Sequence, residues 1–424
     1  MLRTINPCLP LAVSGSLGPR RYHRSVTIYL DHASTTPLGR EAFEAMLPYL
    51  TEHWGNPSSI HGSGRRARQG LDEARETVAM LIGAKPREIV FTSGGTESDN
   101  LAISGVAWAA SARGRHIITS AIEHKAVLQE CALLERHGFE VTYLGVDDHG
   151  LVDPEAVAAA ITDRTVLVSI MAANNEVGTI QPIAEIGSMC RARRVSFHVD
   201  AVQAAPFLPI DVNAWQVDLL SISAHKLHGP KGSGALFVRQ GTPMVPLLQG
   251  GSQERQRRAG TENVAGVVGL AAAFAVTAEE PKRAAENARL TGLRDSLLEG
   301  VTAISGIVRT GHPDLRLPNC ASVMIDGIEG GDLVAALDLE GIEASTGSAC
   351  TTGSVEPSHV LLAMGIEPER ARGSLRLTFG RENTEADVET TIEAVTRCVA
   401  RLLAASAAPE RAQAPAAMSG APSV

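Results

Sequence analysis

The chain has 424 residues, long enough for two or three domains, and its 44% hydrophobic and 20% charged residues are typical of a soluble globular protein. A net charge of −9 argues against a dedicated nucleic-acid-binding protein, and no apolar run approaches the roughly 20 residues that span a bilayer. The six cysteines are scattered, without a Cys-x-x-Cys pair or zinc-ligand spacing, which is typical of free thiols in a reducing compartment.

Both ends of the chain differ in composition from the rest. Residues 1–27 are basic and contain no acid, which is the composition of a mitochondrial presequence. A disordered start, or a start codon placed too far upstream, is the interpretation we favour. Residues 406–424 are rich in Ala, Pro and Ser and are predicted to be disordered.

The first chemical feature is a glycine turn between a strand and a helix. The apolar run 88–92 predicts a strand, and Gly94-Gly95-Thr96 follows it at the start of an apolar helix. Free N–H groups at a helix start, approached through glycines, bind anions, and Gly95 and Thr96 are the candidates. The pattern lacks the nucleotide and dinucleotide glycine motifs, so a single phosphate is predicted. An ordinary helix cap is the alternative.

Apolar runs alternate with helical segments through the next 150 residues. They predict strands at 116–120, 141–146, 165–170, 195–199, 217–222 and 234–238. This alternation predicts an α/β fold with a mainly parallel sheet and helices on both faces. Ligands in such folds bind beyond the carboxyl ends of the strands. His124, Asn175, Asp200, Gln203 and Lys226 each follow a predicted strand, which is the main evidence for a site.

Lys226 stands out because lysine is rare in this chain. Only five of the 38 basic residues are lysines, and Lys226 lies between two histidines at the end of a buried strand. A guanidinium stays protonated and forms no imine, so a covalent amine has to be a lysine. Lys226 is therefore the Schiff-base candidate, and a lysine that merely extends to solvent from a loop is the alternative.

The remainder of the chain predicts a second, smaller α/β unit. A basic loop at 253–263 precedes a long apolar helix, and a strand at 373–380 carries Arg376. We predict a large domain over residues 28–265 and a small C-terminal domain over residues 266–405. The small domain contains the loop 345–354, in which Cys350 is surrounded by Gly, Ser and Thr.

Pyridoxal 5'-phosphate accounts for these residues as a set. Lys226 would hold its aldehyde, Asp200 its ring nitrogen and Gln203 its phenolic oxygen. Its phosphate would bind Gly95, Thr96, Ser223 and His225, and His124 would stack on the ring and move protons. Arg376, with Asn175, offers a fork for an amino-acid carboxylate. Each residue also has an ordinary structural interpretation, such as a helix cap, an ion pair or a surface side chain.

Cys350 differs from the other cysteines because its neighbours are small and polar. Cys131, Cys190 and Cys398 lie on apolar helices, where cysteine acts as a small hydrophobic residue. A thiol in a Gly/Ser/Thr loop has no core around it, and a nearby cation would raise its thiolate fraction. Such a thiolate can attack the sulfur of a substrate held on the cofactor and become a persulfide.

With these motifs in place, the chain resembles the group I cysteine desulfurases, of NifS and IscS type, in the class V aminotransferase superfamily. The resemblance covers about residues 28–403. Its most specific pieces are Tyr29–Pro37, Thr92–Ser98, Asn174–Glu176, Ala224–Lys226, Arg258–Asn263 and Gly347–Thr351.

The resemblance implies a fold-type I pyridoxal-phosphate-dependent transferase whose large domain has a mainly parallel seven-stranded sheet. It implies conversion of L-cysteine to L-alanine, with the sulfur left as a persulfide on Cys350 and passed to an acceptor for iron–sulfur cluster or other sulfur-cofactor assembly. It implies a homodimer in which Thr261 reaches the partner subunit's phosphate. It also implies that Cys350 can act as a transient [2Fe–2S] ligand shared with a scaffold.

Two departures from the family bear on the acceptor and the compartment. The C-terminal tail does not resemble the segment with which family members dock the general iron–sulfur scaffold. The sulfur acceptor can therefore be an iron–sulfur scaffold or another sulfur carrier. The sequences of Tyr29–Pro37 and of Thr351-Thr352-Gly353-Ser354 are more similar to those of nitrogen-fixation-like bacterial enzymes than to those of mitochondrial ones. A cytoplasmic location is therefore predicted, with a mitochondrial one as the alternative. Neither a membrane nor a nucleic acid is expected as a partner. Another class V enzyme, a selenocysteine lyase or an aminotransferase, and a non-enzymatic sulfur carrier are the competing hypotheses.

Overall fold

The computed structural model describes residues 27–347 and 356–407. Its strands are β1 (Ile28–Tyr29), β2 (Ile89–Thr92), β3 (His116–Ser120), β4 (Glu140–Leu144), β5 (Thr165–Ser169), β6 (Ser196–Asp200), β7 (Leu219–Ser223), β8 (Gly234–Val238), β9 (Ile307–Arg309), β10 (Cys320–Ile325), β11 (Ile342–Glu343) and β12 (Ser374–Thr378). Its helices are α1 (Arg40–Thr51), α2 (Gly62–Leu81), α3 (Gly95–Ala109), α4 (Lys125–Arg136), α5 (Pro154–Ala160), α6 (Ile183–Arg193), α7 (Gln253–Gln256), α8 (Val264–Ala278), α9 (Lys282–Thr302), α10 (Gly330–Leu339), α11 (His359–Ala363), α12 (Pro368–Ala371) and α13 (Glu385–Ala407).

The largest sheet in the described part of the chain has seven strands, in the order β2-β8-β7-β6-β5-β3-β4. The pairs from β7 through β4 are parallel, and β8 runs antiparallel to both of its neighbours. The predicted α/β fold with a mainly parallel seven-stranded sheet is confirmed. The predicted strands between residues 88 and 238 are all present, with ends displaced by at most two residues.

The apolar runs form strands because both faces of the sheet are buried. Leu220 and Ile222 of β7 face one core, whereas Leu219 faces the other. In β8, Phe237 likewise joins the first core and Leu236 the second. Successive side chains of a strand alternate between faces, so a strand covered on both sides needs a continuous apolar sequence.

A second core belongs to the C-terminal part of the chain. An antiparallel sheet in the order β12-β10-β9 packs against α9 and α10, and α13 packs on these two helices. β1 pairs with β11, so Ile28 and Leu30 at the start of the chain join this core.

The division of the chain at residue 265 remains a prediction, and the packing divides it slightly differently. Helix α8 is apolar on all sides and packs on α1 and α2, and its Leu270 and Phe274 belong to the first core. Helix α9 instead contributes Leu293 and Leu297 to the second core. By packing, the change of domain falls between α8 and α9.

Within residues 27–347 and 356–407, no single helix is long and apolar enough to cross a membrane. Helices α8 and α9 together have the length and composition of a span, but the chain bends by 75° between them. In the same residues, no group of three or more His, Cys, Asp or Glu side chains is arranged to hold a metal ion.

Candidate active site

The carboxyl ends of β3, β5, β6 and β7 meet at a cavity of about 370 Å³. Parallel strands end at the same edge of a sheet, so polar residues that follow different strands are brought together there. The cavity is lined by Ala33, Ser34, Gly95, Thr96, Asp99, His124, Met171, Asn175, Asp200, Val202, Gln203, Ser223, His225, Lys226, Gly347 and Arg376.

One end of the cavity is a cradle for an anion. The turn between β2 and α3 requires glycine at position 94, where φ is +155°, and α3 begins at Gly95 with no side chain capping it. Thr96 and Ser223 add hydroxyl groups beside the free N–H groups of the first turn. Burial, with the charges of Lys226 and Lys231, lowers the pKa of His225 to about 4, so its imidazole is neutral at pH 7.

Lys226 lines the same cavity as this cradle. Lys226 ends a short 3₁₀ turn directly after β7, and its Nζ donates to the carbonyl oxygens of Ala33 at 2.5 Å and Ser34 at 2.6 Å. Gln203 donates from Nε2 to the same Ala33 carbonyl at 2.9 Å. Residues 33 and 34 therefore set the position of the lysine.

Asp200 supplies a buried carboxylate at the end of β6. Burial raises its pKa, and the neighbouring His124 and Lys226 act in the opposite direction. A cationic ring nitrogen beside this carboxyl group would favour its ionised form. His124 caps α4 and accepts the N–H of Ala126 on Nδ1 at 3.1 Å, which fixes the orientation of its ring.

Arg376 closes the cavity from the C-terminal domain. It is only 3% exposed, and its guanidinium donates to Asp31 at 2.9 Å, Ser34 at 2.8 Å and the carbonyl of Asn175 at 2.7 Å. Its Nε is buried without a hydrogen-bond partner among the described residues. A buried donor in this condition favours an anionic ligand, such as a carboxylate.

Asp99, which lines the cavity, belongs to a group of buried polar side chains. His198 bonds Ser169 at 2.8 Å and Ser221 at 3.0 Å, and burial lowers its pKa to about 3. Asp99 lies 3.6 Å from the same ring, and burial raises the pKa of its carboxyl group well above the usual value. His198 is therefore neutral at pH 7, whereas the pKa of Asp200 is drawn downward by its positive neighbours His124 and Lys226.

Glu123, next to His124, makes the stability of the fold depend on pH. Burial raises its pKa from 4.5 to about 8, so the folded chain keeps it protonated at neutral pH while the unfolded chain ionises it. Its contribution to stability is therefore lost as pH rises from about 4.5 to about 8. We expect the free energy of unfolding of the parent to fall, relative to Glu123→Gln, by up to about 1.4 kcal/mol per pH unit in this window.

Glutamine suits this comparison because it copies the protonated acid. Oε1 of Glu123 accepts from Ser120 at 2.6 Å and from the N–H of Met171 at 2.9 Å, and the variant retains an oxygen for both. Denaturant unfolding at pH 5 and pH 8 measures the difference, and Glu299→Gln, on the exposed side of α9, is the control. Equal pH dependence in parent and Glu123→Gln would contradict the prediction.

The structure places the predicted site residues as follows. The cavity brings together Gly95, Thr96, His124, Asn175, Asp200, Gln203, Ser223, His225, Lys226 and Arg376. Thr261 is exposed and does not line it. Cys350, with its predicted persulfide and cluster-ligand roles, lies outside the described residues. The functional roles of all these residues remain predictions.

Sequence reasoning missed several residues that hold the others in place. Asp31, Ala33 and Ser34 position Lys226 and Arg376, although none of the three was predicted to take part in the site. The density of polar residues in this motif, at the end of a short strand, was the available signal.

The residues present fit pyridoxal phosphate. The cavity presents an amine, a carboxylate, an amide and an uncapped helix start with hydroxyls, which match the aldehyde, ring nitrogen, phenolic oxygen and phosphate of that cofactor. A larger cavity of about 540 Å³ shares Lys226 and Gln203 with it and extends between the domains. That larger space includes neither Asp200 nor the helix start, so the smaller cavity is the candidate site.

Comparison with known proteins identifies the family of the chain. The family described as aminotransferase class-V matches residues 28–391. The chain is 50% identical over 392 residues to "Cysteine desulfurase IscS" of Methanosarcina thermophila, covering 92% of this chain and 96% of that protein.

Solved structures are similar over nearly the same length. One described as "NIFS-LIKE PROTEIN" has a TM-score of 0.83 and 38% identity, and covers 89% of this chain and 100% of its own. Another, "SspA in complex with cysteine", has a TM-score of 0.74 and 37% identity, and covers 83% and 99%.

Proposed function

The chain belongs to the class V aminotransferase family, among its pyridoxal-phosphate-dependent cysteine desulfurases, and from this premise we propose the role of each site residue. The observation that carries the proposal is the single cavity in which an amine, a carboxylate and a helix start face Arg376. The substrate is L-cysteine, and the products are L-alanine and a persulfide on Cys350.

Pyridoxal phosphate, when bound, supplies an aldehyde that condenses with an amine and a ring that accepts electron density from the substrate carbon. Asp200 keeps that ring cationic, and Gln203 donates to its phenolic oxygen. The N–H groups at Gly95 and Thr96, with Ser223 and neutral His225, hold the phosphate.

The substrate is oriented by its carboxylate. Arg376 binds it with the Nε donor that has no partner among the described residues, and the Asn175 side chain supplies a further donor. Lys226 holds the cofactor before substrate arrives and then takes the proton from the substrate Cα. His124, fixed by its bond to Ala126, would stack on the cofactor ring and move protons.

The sulfur step requires a thiolate, and the described cysteines do not supply one. Burial raises the pKa of Cys131 and of Cys190 to about 12, and it also raises those of Cys320 and Cys398. We assign the step to Cys350. Its thiolate attacks the substrate sulfur, an S–S bond forms as the C–S bond breaks, and the carbon gains a proton. The carbon is reduced and the sulfur is oxidised, so no external oxidant is needed.

The partners follow from the persulfide and from the surface. A thiol-bearing acceptor protein, an iron–sulfur scaffold or another sulfur carrier, takes the sulfur, and a transient [2Fe–2S] contact at Cys350 would accompany a scaffold.

A homodimer is supported by exposed apolar side chains along one surface, where Phe43 is 49%, Leu50 is 59% and Trp54 is 74% exposed. In it, Thr261 would reach the partner subunit's phosphate, and we propose a cytoplasmic location.

Product analysis tests this function. The purified chain, loaded with pyridoxal phosphate and given L-cysteine with a reductant, should release equal amounts of L-alanine and sulfide. Pyruvate in place of alanine would indicate a lyase, and transamination of an amino acid without sulfur at a comparable rate would indicate an aminotransferase. Either result would contradict the proposal.

A further inference from the structure

Glu176 is a buried acid that the proposed chemistry does not use. It is 6% exposed and follows Asn175 directly in the loop after β5. Its backbone is fixed by Asn174, whose Oδ1 accepts the N–H of Glu176 at 2.8 Å and that of Val177 at 3.0 Å. Asn174 in turn donates to the carbonyl of Ile122 at 2.9 Å. The Glu176 carboxylate therefore starts from a rigid backbone turn.

The carboxylate contacts the chain just after residues 348–355, the segment that contains Cys350. Ser358 donates from its hydroxyl to Oε2 of Glu176 at 2.5 Å, and Nδ1 of His359 lies 4.0 Å from Oε1. The other nitrogen of His359 bonds the carbonyl of Glu123 at 3.0 Å. Ser358 also caps α11 by accepting the N–H of Leu361. Glu176 thus fixes the position of Ser358 at the start of α11.

The same carboxylate contacts the chain just before that segment. Gly347 has φ of +84° and packs so closely on Glu176 that a Cβ there would lie 3.3 Å from Oε2 and 3.4 Å from Cβ of the glutamate. Glycine at 347 is therefore favoured by the backbone conformation, and any larger residue there would press on the Glu176 side chain. The side chain of Glu176 thus lies beside Gly347, three positions before Cys350, and bonds Ser358, eight positions after it.

These contacts join the Cys350 segment to the substrate-binding residues. The residue before Glu176 is Asn175, whose carbonyl accepts Arg376 Nη1 at 2.7 Å. Arg376 is also paired through its backbone with Ser345, at 2.7 and 3.1 Å. Both ends of the segment are therefore connected, through Glu176 and Ser345, to Asn175 and Arg376, which orient the substrate carboxylate.

We propose that Glu176 is a positioning residue for sulfur transfer, which holds both ends of the segment that carries Cys350 in register with the bound substrate. This role rests on the proposed function, because it acts on the rate at which the Cys350 thiolate reaches the substrate sulfur. It does not act on cofactor binding, since Glu176 does not line the cavity. Misplacement of the Cys350 thiolate relative to the substrate sulfur lowers the rate of transfer, because the attack requires the two sulfur atoms to be close and aligned.

The test separates cofactor binding from sulfur delivery in single-turnover experiments on the loaded full-length chain. Glu176→Ala should bind pyridoxal phosphate and show the absorbance change on addition of L-cysteine at the parent rate. Sulfur should then appear on Cys350, measured by mass spectrometry of the quenched chain, about tenfold to a hundredfold more slowly. Glu176→Gln should recover most of the rate, because it keeps an oxygen for Ser358 and the packing against Gly347.

Matched variants keep the test decisive. Glu185→Ala, an exposed acid on α6, should behave as the parent. If Glu176→Ala binds no cofactor, Ser358→Ala and His359→Phe remove the partners instead and should slow the same step. Sulfur delivery at the parent rate in Glu176→Ala, or in both partner variants, would overturn the proposal. A parent chain that places no sulfur on Cys350 would contradict the proposed function instead.

Discussion

Lys226→Ala abolishes turnover of L-cysteine, with a loss of about 10⁴-fold or more, because one side chain serves both as the cofactor's amine and as the base. Lys226→Arg should lose as much, since a guanidinium stays protonated and forms no covalent link with an aldehyde. Sulfide release under saturating cysteine measures the loss. Borohydride should fix the cofactor to the parent chain and leave it removable from both variants.

Lys231→Ala is the matched control for this prediction. It removes an exposed lysine five positions along the chain, and turnover should stay at the parent level. Parent activity in Lys226→Ala would show that the contacts of Nζ with the carbonyls of Ala33 and Ser34 serve only structure.

Cys350→Ser removes sulfur transfer while leaving the cofactor site intact. A hydroxyl cannot form a persulfide, so alanine formation should fall by about 10³-fold or more, as for the loss of other catalytic nucleophiles. Cofactor content and the absorbance change with cysteine should match those of the parent. The measurement is alanine formed per loaded chain over time.

Cys8→Ser is the control for the second prediction, because it also replaces a single cysteine by serine. Alanine formation should continue at the parent rate in this variant. Parent-level formation in Cys350→Ser would mean that another thiol takes the sulfur, in spite of the burial that raises the pKa of Cys131, Cys190 and Cys320.

Much of the site was predictable because local patterns decide where a parallel sheet ends. Short apolar runs such as 165–170 and 217–222, each followed by a turn and a helical segment, favour strands covered on both faces, and the carboxyl ends of such strands share one edge. Asn175, Asp200 and Lys226 follow three such strands, and the structure brings them to one cavity. Here the order of elements along the chain was sufficient.

The contacts that join distant parts of the chain were not predictable from those patterns. Arg376 bonds Asp31 across 345 positions, and Glu176 bonds Ser358 across 182. No periodicity in a single sequence records such pairs, since each partner alone is an ordinary polar residue. The sequence also did not show to which core α8 belongs. The predicted domain boundary at residue 265 precedes this helix, and only its packing on α1 and α2 shows that it joins the first core.

The most direct test of the central claim is the location of the sulfur after one turnover. The loaded parent chain is given L-cysteine without reductant or acceptor, quenched, and mapped by mass spectrometry while alanine is measured in the same sample. The account predicts one added sulfur atom on Cys350 for each alanine formed. Alanine formed with the sulfur on another cysteine, or a product other than alanine, would contradict it.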